Sequence, residues 1–230
     1  MDLFRRFSKK KKPGRRHPAT SRRRRMMWGE QLEDRRLLAT LNLIPSSGQL
    51  IYSGDAAVNA IEVSYDGTNY TFRDTTPGAT LTPIGGGGNF APLDQDGANN
   101  VVKFNAAAAD AITTGGAITQ IVLNGGAGND SYKIDSLRGG ASEGLDIRDT
   151  GAADGTDSIN IAGNLGAAGS RLGNEVLLRA DLGVTLGGSI FTANRAATAF
   201  NGVTLSAPST VDTGTATTTF NRSRGKTILK

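Results

Sequence analysis

The sequence predicts an all-β protein, a parallel β-solenoid (β-helix) that follows a disordered basic N-terminal leader. One observation is the composition, because 31 of the 230 residues are glycine and only 6% are aromatic. Glycine and β-branched residues at this density weaken helices and favour strands joined by tight turns. A second observation is a short motif that recurs along the chain. An antiparallel β-sandwich whose strands begin with turn-forming Asn or Asp is the alternative fold.

The recurring motif is an Asn or Asp followed by apolar residues two and four positions later. This alternation is typical of a strand with one buried face. Successive copies begin 41, 30, 27 and 17 residues apart, and three of these intervals are longer than a hairpin repeat requires. Such intervals suit coils that stack and share one core. The copies begin at Asn59, Asn100, Asp130, Asp157 and Asn174.

Short apolar runs bounded by Gly, Asn or Pro predict the individual strands. Residues 61–65 and 70–72 flank Asp66-Gly67 and predict a hairpin. The glycine run 85–88 lacks the following Lys-Ser/Thr of a phosphate-binding loop, so it is interpreted as a surface loop. The other predicted strands are 41–43, 50–52, 80–82, 101–104, 118–123, 132–134, 145–147, 159–161, 176–178, 184–186 and 203–205.

The charge divides the chain into two unlike parts. Residues 1–36 hold 14 basic and 4 acidic side chains, whereas residues 37–230 hold 12 basic and 17 acidic ones. The predicted organisation is a basic leader over 1–40, a β-solenoid body over 41–206, and a Thr/Ser-rich, basic C-terminal tail over 207–230. No apolar run reaches the roughly 18 residues of a membrane helix. Nucleic-acid binding through the basic leader is an alternative that the sequence disfavours, because few aromatic residues are interleaved there.

A short segment behind the basic residues carries a family resemblance. Residues 32–39 resemble the LEPR-XLL segment near the start of exported or surface proteins of planctomycete-type bacteria, with Asp34 in place of the proline. The resemblance implies an N-terminal sorting or processing signal and a secreted or cell-surface location. The sorting segment consists of Leu32, Glu33, Arg35, Leu37 and Leu38.

A second resemblance lies in residues 125–133, Gly-Gly-Ala-Gly-Asn-Asp-Ser-Tyr-Lys. They resemble one copy of the repeats-in-toxin (hemolysin-type) nonapeptide G-G-x-G-x-D-x-U-x, in which turn glycines and aspartates hold calcium. The resemblance implies calcium as the candidate cofactor. Coils of 27 residues would stack this turn on Gly155-Thr156-Asp157, which lacks the leading glycines, so the predicted affinity is weak, about 10⁻⁴ to 10⁻³ M. The candidate metal ligands are Gly126, Gly128, Asn129, Asp130 and Asp157.

Residues suited to catalysis are few. Cysteine is absent and the single histidine, His17, lies in the leader, which excludes Ser-His-Asp and Cys-His chemistry and His-ligated zinc from the body. The densest acidic cluster comprises Asp146, Asp149, Asp154 and Asp157, with Arg148 inside it. Asp next to Gly or Thr is common turn chemistry. The prediction is therefore a non-enzyme with no catalytic residue.

Together these observations predict an exported or cell-surface β-repeat protein of structural or adhesion type, with weak calcium binding. The expected partners are cell-surface or extracellular-matrix components. A polysaccharide-binding or polysaccharide-active β-helix is the other alternative, because an acidic cluster with an embedded arginine would suit such a ligand.

Overall fold

A computed structural model describes residues 39–85, 100–140, 142–149 and 155–220 of the chain. The sorting segment, Asp154 and the basic residues 221–230 lie outside these ranges. Within them the all-β class is confirmed, since the elements are short strands and one helix of seven residues. In the part of the chain that the structure describes, no helix is long and apolar enough to cross a bilayer.

The elements follow one another along the chain with few residues between them. In order they are β1 (Ala39–Ile44), β2 (Gln49–Ser53), β3 (Ala60–Tyr65), β4 (Asn69–Asp74), β5 (Leu81–Gly85), β6 (Val101–Asn105), α1 (Ala106–Ile112), β7 (Gln120–Asn124), β8 (Ser131–Ile134), β9 (Leu145–Arg148), β10 (Ser158–Ile161), β11 (Val176–Arg179), β12 (Val184–Leu186), β13 (Ile190–Phe191), β14 (Ala197–Ala199), β15 (Val203–Leu205), β16 (Val211–Asp212) and β17 (Thr218–Phe220).

The strands form two large sheets and one small one. The first sheet has the order β17-β14-β11-β9-β7-β2-β1-β5, and the second has the order β15-β12-β10-β8-β3-β4-β6. The third sheet pairs β13 with β16 and is extended by isolated parallel bridges through Leu165 and Leu172. From β7 onward every pair in the two large sheets is parallel.

The chain alternates between the two large sheets from β7 onward. Strands β7, β9, β11 and β14 lie in the first sheet, and each is followed by its successor in the second: β8, β10, β12 and β15. We call each such pair of strands, with the turn between them, a rung. Because successive rungs pair in parallel, the turns of successive rungs lie above one another along one edge.

The core consists of side chains aligned by this register. In the first sheet Leu50, Ile121, Leu145, Val176 and Ala197 are opposite one another in successive strands. All five are buried, and in β11 and β14 buried residues alternate along the strand with partly exposed ones. The second sheet aligns Ile61, Tyr132, Ile159, Val184 and Val203 in the same way.

The N-terminal part departs from this parallel order. Strands β1 and β2, β3 and β4, and β4 and β6 pair antiparallel, and the predicted hairpin is observed with Tyr65 opposite Tyr70. Pro83 lies in β5, which is an edge strand, where a missing N–H is tolerated. Asn105 caps α1 by accepting a hydrogen bond from the Ala108 N–H.

Two of the five motif copies are not equivalent to the others, and that part of the prediction is wrong. Asn100 precedes β6, which pairs antiparallel with β4, and Asn174 precedes β11, which belongs to the other large sheet. Asn starts strands of any kind because its side chain bonds nearby backbone. The strand ladder also continues beyond residue 206, since β17 pairs with β14 and β16 with β13.

Candidate functional site

Three buried carboxylates meet where the two large sheets come together. Asp130, Asp149 and Asp157 are each at most 1% exposed, and each offers one oxygen within 4.8 Å of the other two. Among the described residues this is the group of acidic side chains whose geometry could hold a metal ion. The sequence had pointed to Asp130 and Asp157 as ligands, but it had placed Asp149 in an acidic cluster attributed to turns.

The strand order explains why these residues meet. Asp130 and Asp157 immediately precede β8 and β10, which are parallel neighbours with Ser131 opposite Ser158. Asp149 immediately follows β9, at the end of the first-sheet strand that leads toward β10. All three therefore lie at the edge where the chain passes from one sheet to the other.

Hydrogen bonds between rungs fix the orientation of these side chains. The Asn59 backbone N–H donates to Asp130 Oδ1 at 2.6 Å, and the Asp130 N–H donates to Asp157 Oδ1 at 2.8 Å, 27 residues along the chain. The predicted 27-residue stacking of the two turns is thus confirmed. In both cases a carboxylate 27 or more residues away satisfies a buried backbone donor.

The predicted turn residues lie on the outer side of this edge. Asn129 Oδ1 accepts hydrogen bonds from the Thr156 N–H at 2.9 Å and from its hydroxyl at 3.3 Å. Gly126 and Gly128 adopt positive φ, as the turn requires. A Cβ on Gly155 would lie 1.9 Å from the Gly128 carbonyl oxygen, so only glycine permits this approach of the two turns. Asn129 and Gly128 hold adjacent rungs together.

Two tyrosines border the carboxylates. Tyr132 donates its phenolic hydrogen to Asp149 Oδ2, and burial together with the neighbouring Asp149 raises the pKa of this phenol. Tyr52 donates to Asn59 Oδ1 at 3.1 Å. Both phenols are therefore neutral hydrogen-bond donors at ordinary pH.

The surroundings of Asp130 disfavour the negatively charged form of its side chain. Burial raises the pKa of Asp130, the hydrogen bonds from Asn59 oppose this rise, the negative charge of Asp157 adds to it, and the close approach of the Asp149 carboxyl opposes it. None of the ion pairs between described residues involves Asp130. Its Oδ2 atom is buried and accepts no hydrogen bond within the described part of the chain, although a buried carboxylate oxygen ordinarily has a partner.

The remaining residues of the predicted acidic cluster lie elsewhere. Asp146 points to the outer side of the first sheet, where Arg148 Nε lies 2.6 Å from its Oδ2 and Arg179 Nη1 lies 3.0 Å from its Oδ1. Asp154 is outside the described residues. The structure thus separates Asp146 and Arg148 from Asp149 and Asp157, which adjacency in sequence had grouped together.

Sequence reasoning missed a second buried polar cluster. Glu143 accepts a hydrogen bond from the Tyr70 hydroxyl and pairs with Arg138 Nη2 at 2.6 Å. Arg138 also donates to both oxygens of Asp110, at 2.8 and 3.1 Å. Burial raises the pKa of Glu143 to about 7. This cluster connects α1 and the β3–β4 hairpin to the segment that links β8 with β9.

No protein-family model matches the chain, and no curated protein or solved structure matches it either.

Proposed function

We propose that the described residues between positions 39 and 220 form a parallel β-solenoid that serves as a non-enzymatic structural module. The observation that carries this proposal is the register of the core. Five buried residues align across successive parallel strands in each large sheet, and each rung contributes one strand to each sheet. A rung alone cannot bury its apolar face, whereas stacked rungs share a continuous core. Repetition of this kind suits an extended scaffold.

A deletion of one rung distinguishes this fold from a sandwich. Removal of residues 131–157 joins Asp130 directly to Ser158. Because Ser158 lies opposite Ser131 in the parallel pair, it can take the position of Ser131 after Asp130, and the chain loses one complete repeat. The shortened chain should keep a β-type circular dichroism spectrum and a cooperative melt. Removal of residues 131–144 is the control, since it takes out β8 alone and places two first-sheet strands in succession. Loss of folding in both variants would contradict the proposal.

The module is proposed to act outside the cytoplasm, at the cell surface or in secreted form, as an adhesion-type component. The support is the resemblance of residues 32–39 to a LEPR-XLL sorting segment behind a basic leader. The expected partners are surface or extracellular-matrix components, and the glycine-rich, mildly acidic body is compatible with such an environment.

Fractionation of cells that produce the full chain tests the location. The mature protein should be recovered outside the cytoplasm, and N-terminal sequencing should identify the processing position. Replacement of Arg35, Leu37 and Leu38 by alanine should retain the protein inside the cell, whereas the neighbouring Gln31→Ala change should not. Full-length wild-type protein in the cytosol would refute the proposed location.

A further inference from the structure

We propose that Asp130, Asp149 and Asp157 bind one hard divalent cation, with calcium preferred. The proposed centre is buried, at the edge where the chain passes from one large sheet to the other. This centre differs from the turn site implied by the glycine-rich nonapeptide. It includes Asp149, which lies outside that nonapeptide, and it does not use Asn129. It goes beyond the proposed structural role and would stand if the location outside the cytoplasm were wrong.

The identity and separation of the ligand atoms suit a calcium ion. Calcium binds carboxylate oxygens at about 2.3–2.6 Å, so two of its ligands lie at most about 4.6–5.2 Å apart. The three aspartates offer oxygens within 4.8 Å of one another, which is compatible with this range. Magnesium requires near-ideal octahedral geometry and retains several waters, whereas calcium accepts carboxylate oxygens in a flexible geometry. A buried group of three carboxylates therefore suits calcium better.

The Oδ2 atom of Asp130 is buried and accepts no hydrogen bond from a described residue, and a Cβ on Gly125 would lie only 2.1 Å from it. The other oxygen, Oδ1, is committed to the Asn59 N–H. No basic side chain among the described residues pairs with this carboxylate, and a buried carboxylate is costly without a partner of opposite charge. A bound cation would supply that charge.

The surrounding contacts hold the ligands in position without the ion. Asp157 Oδ1 accepts the Asp130 N–H, and Asp149 Oδ2 accepts the Tyr132 hydroxyl hydrogen. Both carboxylates are thus oriented by neighbouring groups, as in metal centres whose ligands are hydrogen-bonded by an outer shell. Strands β8 and β10 pair in parallel in the second sheet, and β9 pairs in parallel with its neighbours in the first sheet. The three ligands are therefore attached to regular strands.

Calorimetric titration of the purified, chelator-treated full chain with calcium chloride tests the proposal. We expect one ion per chain, and weaker binding when magnesium chloride replaces calcium. Asp130→Asn and Asp149→Asn should each abolish the binding, since the amide keeps the shape but removes the charge. Asp55→Asn is the matched control, because Asp55 accepts a local hydrogen bond from the Ala57 N–H at 2.8 Å and lies outside the centre. Absence of calcium binding by the folded wild-type chain would overturn the proposal.

Two further variants separate this centre from a site on the outer turn. Asn129→Ala should leave the stoichiometry at one, whereas an outer-turn site would lose its ion. Asp149→Asn should raise the melting temperature in chelator, because it removes charge repulsion among the carboxylates, and should abolish the rise caused by calcium. Calcium binding by Asp149→Asn at wild-type strength would refute the proposal. If that variant does not fold, Asp157→Asn gives the same comparison.

Discussion

The Asp130 backbone N–H donates to the Oδ1 atom of Asp157 at 2.8 Å, which links two turns 27 residues apart in sequence. One side chain therefore completes the backbone hydrogen bonding of the neighbouring rung. Removal of the acceptor would leave a buried N–H without a partner, which is costly in a protein interior.

Asp157→Ala should accordingly lower the free energy of unfolding relative to Asp157→Asn by about 1–3 kcal/mol. The asparagine variant keeps the Oδ1 acceptor and differs from the alanine variant mainly in this hydrogen bond. Urea denaturation followed by circular dichroism measures the difference. Asp181→Ala, on an exposed turn, should change stability by less than about 0.5 kcal/mol. Equal stability of the alanine and asparagine variants would contradict the prediction.

Gly155 should tolerate alanine far less well than Gly67. Both residues have a φ of +99°, but a Cβ on Gly155 would lie 1.9 Å from the Gly128 carbonyl oxygen, whereas a Cβ on Gly67 would meet nothing within 4 Å. Each Gly→Ala change costs about 1–2 kcal/mol for the positive φ. The clash at Gly155 should add about 1–3 kcal/mol. Thermal melts of the two variants provide the comparison, and equal losses would show that the turns are not in close contact.

The pKa of Glu143 predicts a pH-dependent contribution to stability. Burial raises the pKa of this carboxyl from 4.5 to about 7 in the folded state. Between these values the folded chain binds more protons than the unfolded chain, so the free energy of unfolding decreases as pH rises from about 4.5 to about 7. The decrease due to this residue should be about 2–3 kcal/mol, from 1.36 kcal/mol per unit of pKa.

Urea denaturation of the wild-type chain and of Glu143→Gln across this pH range tests that prediction. The variant should lack the Glu143 contribution, so the difference in stability between the two proteins should change with pH in this window. Comparison with the variant removes the contribution of Asp130, whose pKa is also raised. A difference that stays constant with pH would contradict the prediction.

Ile161 should be a sensitive position of the core. It lies opposite Ile134 and Leu186 in the second sheet and is fully buried. Ile161→Val should cost about 0.5–1.5 kcal/mol and Ile161→Ala about 2–5 kcal/mol, because neighbouring rungs on both sides restrict collapse around the cavity. Leu182→Ala, at a residue 68% exposed, is the control. Denaturant midpoints measure these losses, and a small loss for Ile161→Ala would indicate that the rungs are loosely packed.

The strands of the body could be predicted from the sequence where their apolar residues alternate clearly. The runs at 132–134 and 159–161 were predicted for this reason, and the structure adds their parallel register. Strands β14 and β17, Ala-Thr-Ala and Thr-Thr-Phe, carry too little apolar contrast to be recognised. Their pairing partners, rather than their own residues, determine that they are strands.

Two of the three aspartates in the carboxylate centre could be predicted from the sequence as metal ligands. Asp130 and Asp157 occupy equivalent motif positions, so their stacking followed from the 27-residue interval. Asp149 immediately follows a strand of the other large sheet, and no periodicity connects it with Asp130 in sequence. Glu143 was missed for a similar reason, because Tyr70 and Arg138 reach it from segments distant along the chain.

The aligned core side chains become smaller toward the C-terminal end. The positions opposite Leu50 in successive first-sheet strands end with Val176, Ala197 and Thr218. Less apolar area is therefore removed from water in each later rung, and local opening becomes easier where buried contacts are fewer. Amide hydrogen exchange should be slowest in β7 and β9 and fastest in β17. Unfolding would then begin at the C-terminal rungs and proceed toward the N-terminal ones, so the two ends of the stack would differ in their resistance to unfolding.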